Sequence, residues 1–216
     1  MSWEAGKLAF PYRQDLADSS SLVLNPNMPY YDSLKSVLLT EFEDIYYPED
    51  AVYMERNSRD FRHRIKKVND NAYDITEYLY SRSIESTSTS DTSKVIKKVY
   101  YPRYVTPEIY AQAKRSPTLG KGGFGGLFSI TFTSLAASQA FFDTIACAKG
   151  PSLGTSFTLA SPYTLLAHYN ELDWAAQYGV DAGLVRISIG QEDTESLRGW
   201  FEEAVAAAEK AGQGAK

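Results

Sequence analysis

The sequence predicts an α/β or α+β layer fold: a small sheet covered by helices, with a long helix before it. Three observations carry this. The runs VIKKVYY (95–101), FGGLFSITFT (124–133) and LVRISI (184–189) read as short strands. Helical periods fill the stretches between them, so strands and helices alternate. The chain then closes on an amphipathic helix from Thr194, with Leu197, Phe201 and Val205 inward.

The elements follow in order. Residues 1–20 show no period and read as an arm. SLVLN (21–25) is a short buried strand closed by Pro26. Asp32 or Ser33 caps a helix with Leu34, Val37, Leu38, Phe42 and Ile45 on its apolar face. Glu49 and Asp50 open one longer helix whose face runs Val52, Phe61, Ile65, Val68, Ala72, Ile75 and Leu79. Its other side carries Arg56, Arg59, Arg62, Arg64, Lys66 and Lys67, interleaved with acids as on a solvated face. SIESTSTSDTSK (83–94) is polar, of low complexity and expected to be a mobile loop.

Pro102 ends the 95–101 strand, and Pro107 starts a short helix through Lys114. In 124–133, Phe128, Ile130 and Phe132 alternate with Ser129, Thr131 and Thr133, as in a half-buried strand. Ser134 caps a helix to about Cys147, GPSLG (150–154) leads into a Ser/Thr-rich link, and Pro162 starts a helix to Glu171. The divisions expected are an arm (1–20), a strand with long helices (21–82), the polar loop (83–94) and an α/β domain (95–216).

Composition narrows the function. A net charge of −5 lacks the basic footprint of a nucleic-acid binder. One Cys and two His leave no disulfide framework and no His/Cys zinc cluster. No apolar run spans a membrane, and MSWEAGKLAFPYRQ lacks the regions of a signal peptide, so a cytoplasmic location is expected. Sixteen tyrosines suit a core close to a site or an interface.

Arg186 stands out, because a guanidinium inside an apolar strand needs an anion. That anion is Glu192, Asp193 or Glu195 of the same chain, or the carboxylate of a ligand. The loop GPSLGTSFT (150–158) brings Ser152, Thr155, Ser156 and Thr158 ahead of a helix; it either caps its own turns or binds a carboxylate or carbonyl oxygen. His168 is a proton carrier or a structural histidine, and His63 reads as surface. Cys147 has no neighbouring base in sequence. GKGGFGG (120–126) precedes a strand, not a helix, and lacks the Ser/Thr of a phosphate loop.

The stretches YYP (100–102), GGFGGLFSITF (122–132), PSLGTSFTLASPYTLLAH (151–168) and YGVDAGLVRIS (178–188) together resemble the C-terminal part of the Cys/Met-metabolism enzymes that use pyridoxal phosphate. SLVLNP (21–26), YYPEDAVYMERNSRDF (46–61) and ELDWAAQYGV (171–180) are similar to the fungal-type cystathionine γ-synthase subgroup. The resemblance implies the fold of that C-terminal domain, with a mostly antiparallel sheet. It implies that Arg186 holds a substrate α-carboxylate and that Ser152 lies beside cofactor and substrate. Pro151 stands where relatives often carry Glu. The family's phosphate loop, ring-stacking aromatic and pyridine-pairing Asp have no counterpart in these stretches. The register of its Schiff-base lysine falls on Ala9, with Lys7 off register, and Ser20 replaces a usual glycine.

Three readings follow. In the first, the chain is a truncated relative that binds no cofactor and works on a small anionic carbonyl or carboxylate. Arg186, Ser152, Thr155 and Ser156 would hold the substrate, and His168, Tyr101 or Tyr163 would move a proton in isomerisation, epimerisation, cyclisation or aldol- or Mannich-type addition. Tyr100 and Tyr169 would help line the groove. In the second, a separate chain supplies the cofactor domain. In the third, the chain is a non-catalytic interaction module. A homodimer is expected under the first and third. Trp3, Phe10 and Tyr12 would cover the abandoned interface, as in an autonomous protein.

Overall fold

The computed structural model describes residues 24–86, 94–113 and 122–213. The 1–20 arm, most of the expected 21–25 strand, the centre of the 83–94 loop and residues 116–121 of the glycine-rich segment lie outside the described residues. Leu24 and Asn25 carry no strand. The chain divides into two units, 1–62 and 63–216.

In the first unit, α1 (Tyr31–Glu41) and α2 (Pro48–Ser58) bury none of their residues. Neither Asp32 nor Ser33 caps α1: Tyr30 takes the cap position without a side-chain bond, and Asp32 sits in the first turn. The helix stops at Glu41, so Ile45 falls beyond it. α2 begins with Pro48 at its first turn beside Glu49 and Asp50, which suits the positive end of the helix dipole. The single long helix expected from residue 49 to Leu79 is two helices. Ser58 Oγ donates to the Glu55 carbonyl at 2.8 Å and the Arg59 amide reaches only back to Arg56. This tightened turn ends α2, and α3 (Phe61–Ser81) restarts after it.

In the second unit, Ala72, Ile75 and Leu79 of α3 join the core, while Phe61 and Ile65, expected on the same face, are exposed. Then come β1 (Ile96–Tyr100), α4 (Pro102–Val105), α5 (Pro107–Ala113), β2 (Leu127–Phe132), α6 (Leu135–Thr144), β3 (Ala148–Lys149), β4 (Leu159–Ser161), α7 (Tyr163–His168), a 3₁₀ turn (Tyr169–Glu171), α8 (Leu172–Gln177), β5 (Val185–Ser188) and α9 (Thr194–Gln213). Ser134 caps α6 by accepting from the Ala137 amide at 3.2 Å. Asp193 caps α9 by accepting from the Ser196 amide at 3.0 Å, which holds its carboxyl below the usual range.

The sheet order is β1-β2-β5-β4-β3, and every pair except β3–β4 is antiparallel. Two-residue alternation sorts the side chains onto two faces. Phe128 and Ile130 of β2, Val185 and Ile187 of β5 and Ala160 of β4 share one core cluster with Phe141 of α6 and Leu197, Phe201 and Val205 of α9. On the other face Ser129, Arg186 and Ser161 stand directly opposite one another across β2, β5 and β4. Among the described residues no helix is long and apolar enough to cross a membrane, and no group of His, Cys, Asp and Glu could hold a metal ion.

Candidate functional site

Arg186 sits at the centre of β5, half-buried, on the sheet face away from the core. Its Nη2 donates to the Pro151 carbonyl and lies 3.5 Å from the Ser152 carbonyl. The guanidinium carbon lies 4.6 Å from the ring centroid of Tyr163, at the start of α7. Neither Glu192, Asp193 nor Glu195 pairs with it. The Glu192 carboxylate is taken by Thr158, and Asp193 is taken by Ser196. Among the described residues no carboxylate forms an ion pair with Arg186, and its Nε and Nη1 have no hydrogen-bond partner there. The charge is therefore met by two carbonyl dipoles and an aromatic face, and Nε and Nη1 stay available to donate.

The 151–158 loop runs beside β5 and its extension, and every second residue from 186 to 192 touches it. Arg186 holds the Pro151 and Ser152 carbonyls, and Ser188 Oγ accepts from the Gly154 amide at 3.0 Å. Gly154 has φ +76°, which suits a glycine. Gly190 lets the loop cross it, since an added Cβ would lie 2.4 Å from the Phe157 carbonyl carbon. Glu192 accepts from the amide and, at 2.8 Å, from the hydroxyl of Thr158. Of the loop hydroxyls, Ser152 is exposed and unengaged among the described residues. Thr155 donates to the Phe157 carbonyl at 2.5 Å, and Ser156 Oγ is buried without a partner among them.

An aromatic series leads away from Arg186. The ring centroids of Tyr163 and His168 are 6.5 Å apart, and those of His168 and Trp174 6.3 Å. Glu171 Oε1 lies 2.7 Å from His168 Nδ1. With that nitrogen donating, Nε2 keeps its lone pair for a proton. Tyr163 and Trp174 are both substantially exposed.

The other sequence candidates lie apart. Tyr101 is 1% exposed in the core, and its hydroxyl donates to the Gly125 carbonyl at 2.9 Å. Burial pushes this phenol well above its usual range. Replacing Tyr101 with Phe is expected to lower the unfolding free energy by about 1 kcal/mol, read by urea denaturation, through loss of that one bond. Tyr100 stands on β1 opposite Ser129, and Tyr169 is exposed on the 3₁₀ turn. Burial also pushes the Cys147 thiol up, which disfavours a thiolate. Sequence reasoning missed Ser188, Gly190 and Glu192 as supports of the loop. The signal was the two-residue period of β5 carried past its end.

A sequence profile described as "Cys/Met metabolism PLP-dependent enzyme" matches residues 32–206. The chain is 55% identical over 200 residues to the cystathionine gamma-synthase-like enzyme iboG2 of Amanita muscaria, covering 88% of this chain and 31% of that protein. It is 47% identical over 191 residues to a cystathionine gamma-synthase of Neurospora crassa, covering 88% of this chain and 28% of that protein. Among solved structures, cystathionine gamma synthase from Xanthomonas oryzae pv. oryzae in complex with cystathionine matches with a TM-score of 0.59 at 26% identity, over 76% of this chain and 39% of that one. The chain spans about a third of the length of these curated relatives.

Proposed function

Since the chain belongs to the Cys/Met metabolism PLP-dependent enzyme family, we propose that its Arg186 face binds the carboxylate of a small amino-acid-derived acid and promotes proton transfer beside its carbonyl. The observation that carries this is the guanidinium of Arg186, which meets no carboxylate among the described residues. A planar guanidinium with Nε and Nη1 free to donate suits a carboxylate or an enolate oxygen, and Ser152, whose carbonyl lies 3.5 Å from Nη2, is exposed on the same loop. His168, oriented by Glu171, would take the proton at Nε2; its ring neighbours Tyr163, which in turn neighbours the Arg186 guanidinium.

Pyridoxal phosphate would supply an electron sink for the same carbon, and it needs a lysine amine at the substrate. Lys67 contacts Thr194, Lys94 contacts the carbonyls of Ser81 and Ser83, Lys98 pairs with Glu85 at 3.4 Å, and Lys149 contacts the carbonyl of Ile145. None of these amines contacts Arg186, Tyr163 or the 151–158 loop, so these residues alone do not fit the group. Lys7 lies outside the described residues.

The test is deuterium incorporation at the methyl carbon of pyruvate in D₂O, followed by proton NMR on protein free of pyridoxal phosphate. We expect exchange above the buffer rate and its loss in His168→Gln. Exchange at the buffer rate with the unaltered protein would refute the proton-transfer reading.

A second reading is favoured by α1 and α2, which expose Leu34, Val37, Leu39, Val52 and Tyr53. Such surface suits a partner: a second copy of this chain, or a separate chain bearing the cofactor domain. A monomer by light scattering that also fails to capture a co-expressed cofactor-domain chain would dismiss this reading.

A further inference from the structure

We propose that Glu192 is the positioning residue of the Arg186 face: by clamping Thr158 it lays residues 151–158 along β5, so that the Pro151 and Ser152 carbonyls set the guanidinium for a ligand. This rests on the carboxylate reading of Arg186 given above.

The clamp has a rigid side and a loose side. On the rigid side, Asn71 of α3 is fully buried and donates to the carbonyls of Glu192 at 3.0 Å and Gly190 at 3.2 Å. Its Oδ1 accepts from the Thr194 hydroxyl at 2.8 Å, and Lys67 donates to that same hydroxyl at 2.9 Å. The backbone of Glu192 is thus fastened to α3 and to the start of α9. From there its carboxylate reaches out to the amide and hydroxyl of Thr158, whose Oγ1 also accepts from the Gly190 amide at 2.9 Å.

On the loose side, Pro151, Ser152, Leu153 and Gly154 are all exposed. Between them and Thr158 the bonds to the strand include Gly154 to Ser188 and the Gln191 amide to the Ser156 carbonyl at 2.8 Å. Glu192 makes a charged contact with the loop from the far end of the same stretch that carries Arg186. Loss of its carboxylate removes the acceptor of both Thr158 donors. The loop end then frays, and the carbonyls that orient Arg186 move with it. A glycine at 154 gives the segment no stiffness of its own.

The experiment compares the full chain with Glu192→Ala and Glu192→Gln. Three quantities are read: backbone amide exchange at Gly154 and Thr158, the Arg186 Nε–H resonance, and the affinity for pyruvate by calorimetry. We expect Glu192→Ala to speed exchange at both amides, shift the Arg186 resonance and weaken pyruvate binding about tenfold, the size expected for a hydrogen bond to a charged acceptor. Glu192→Gln keeps an oxygen for the Thr158 amide and should recover most of each change. Unchanged exchange, or faster exchange with an unmoved Arg186 resonance, overturns the clamp. If the unaltered protein does not bind pyruvate, the carboxylate reading fails, and the Arg186 resonance still decides the positioning role. Should Glu192→Ala not fold, Thr158→Val deletes only the hydroxyl end and must move the Arg186 resonance in the same direction; no movement overturns the proposal.

Discussion

Replacing Arg186 with Ala is expected to weaken pyruvate binding by about a hundredfold, measured by calorimetry, which corresponds to losing a charge-assisted contact worth roughly 3 kcal/mol. The direction follows from what surrounds the guanidinium. It is offset by the dipoles of two carbonyls and by the ring of Tyr163, and by no carboxylate among the described residues. A ligand carboxylate would be its first full counter-charge, so little of the interaction is already spent inside the protein. Arg186→Lys should recover only part of the affinity. An ammonium keeps the charge but lacks the fork that can hold the Pro151 carbonyl on one side and a carboxylate on the other, and it stacks less well on Tyr163. The fold should tolerate both changes, because the side chain is half-exposed and faces away from the core. Wild-type affinity in Arg186→Ala would reduce the residue to a fastener for the 151–158 loop.

How much of this was legible in the sequence varies by element. β5 and α9 declared themselves. Val185 and Ile187 flank Arg186 with a period of two, and Leu197, Phe201 and Val205 recur at helical spacing, as the structure has them. β4 was hidden in a Ser/Thr-rich link. Leu159–Ser161 has no alternation of its own and becomes a strand because β5 pairs with it at Leu159, Ala160 and Ser161. The α2–α3 break was equally hidden, since a hydroxyl bond from Ser58 to the backbone competes locally with a period that continues on either side. Arg186 was visible as a misfit, but its partners were not. Backbone carbonyls carry no residue signature, and Pro151 is 35 positions away from it. Glu192 was weighed as a partner for Arg186. It lies on the same stretch and serves the same loop, yet its carboxylate faces Thr158 instead.

The opposite face of β5 supports the largest stability prediction. Phe201 is fully buried, with ring centroids 6.3 Å from Phe128 on β2 and 6.1 Å from Phe141 on α6. It therefore joins α6 and α9 to the sheet. Phe201→Ala removes the ring from a place that neighbouring aromatics cannot refill without leaving their own contacts. The expected loss is about 3–5 kcal/mol of unfolding free energy by urea denaturation, a large share of the 5–15 kcal/mol typical of a domain. Phe201→Leu, which keeps most of the volume, should cost clearly less. The two faces of one strand also separate the effects. Ile187 leans on this core while Arg186 leans away from it, so the folded fraction of Phe201→Ala should bind pyruvate with nearly unchanged affinity. A fall in affinity matching that of Arg186→Ala would mean that β5 moves as a whole when its core side is hollowed. The guanidinium would then be placed by packing beneath the sheet more than by the loop above it.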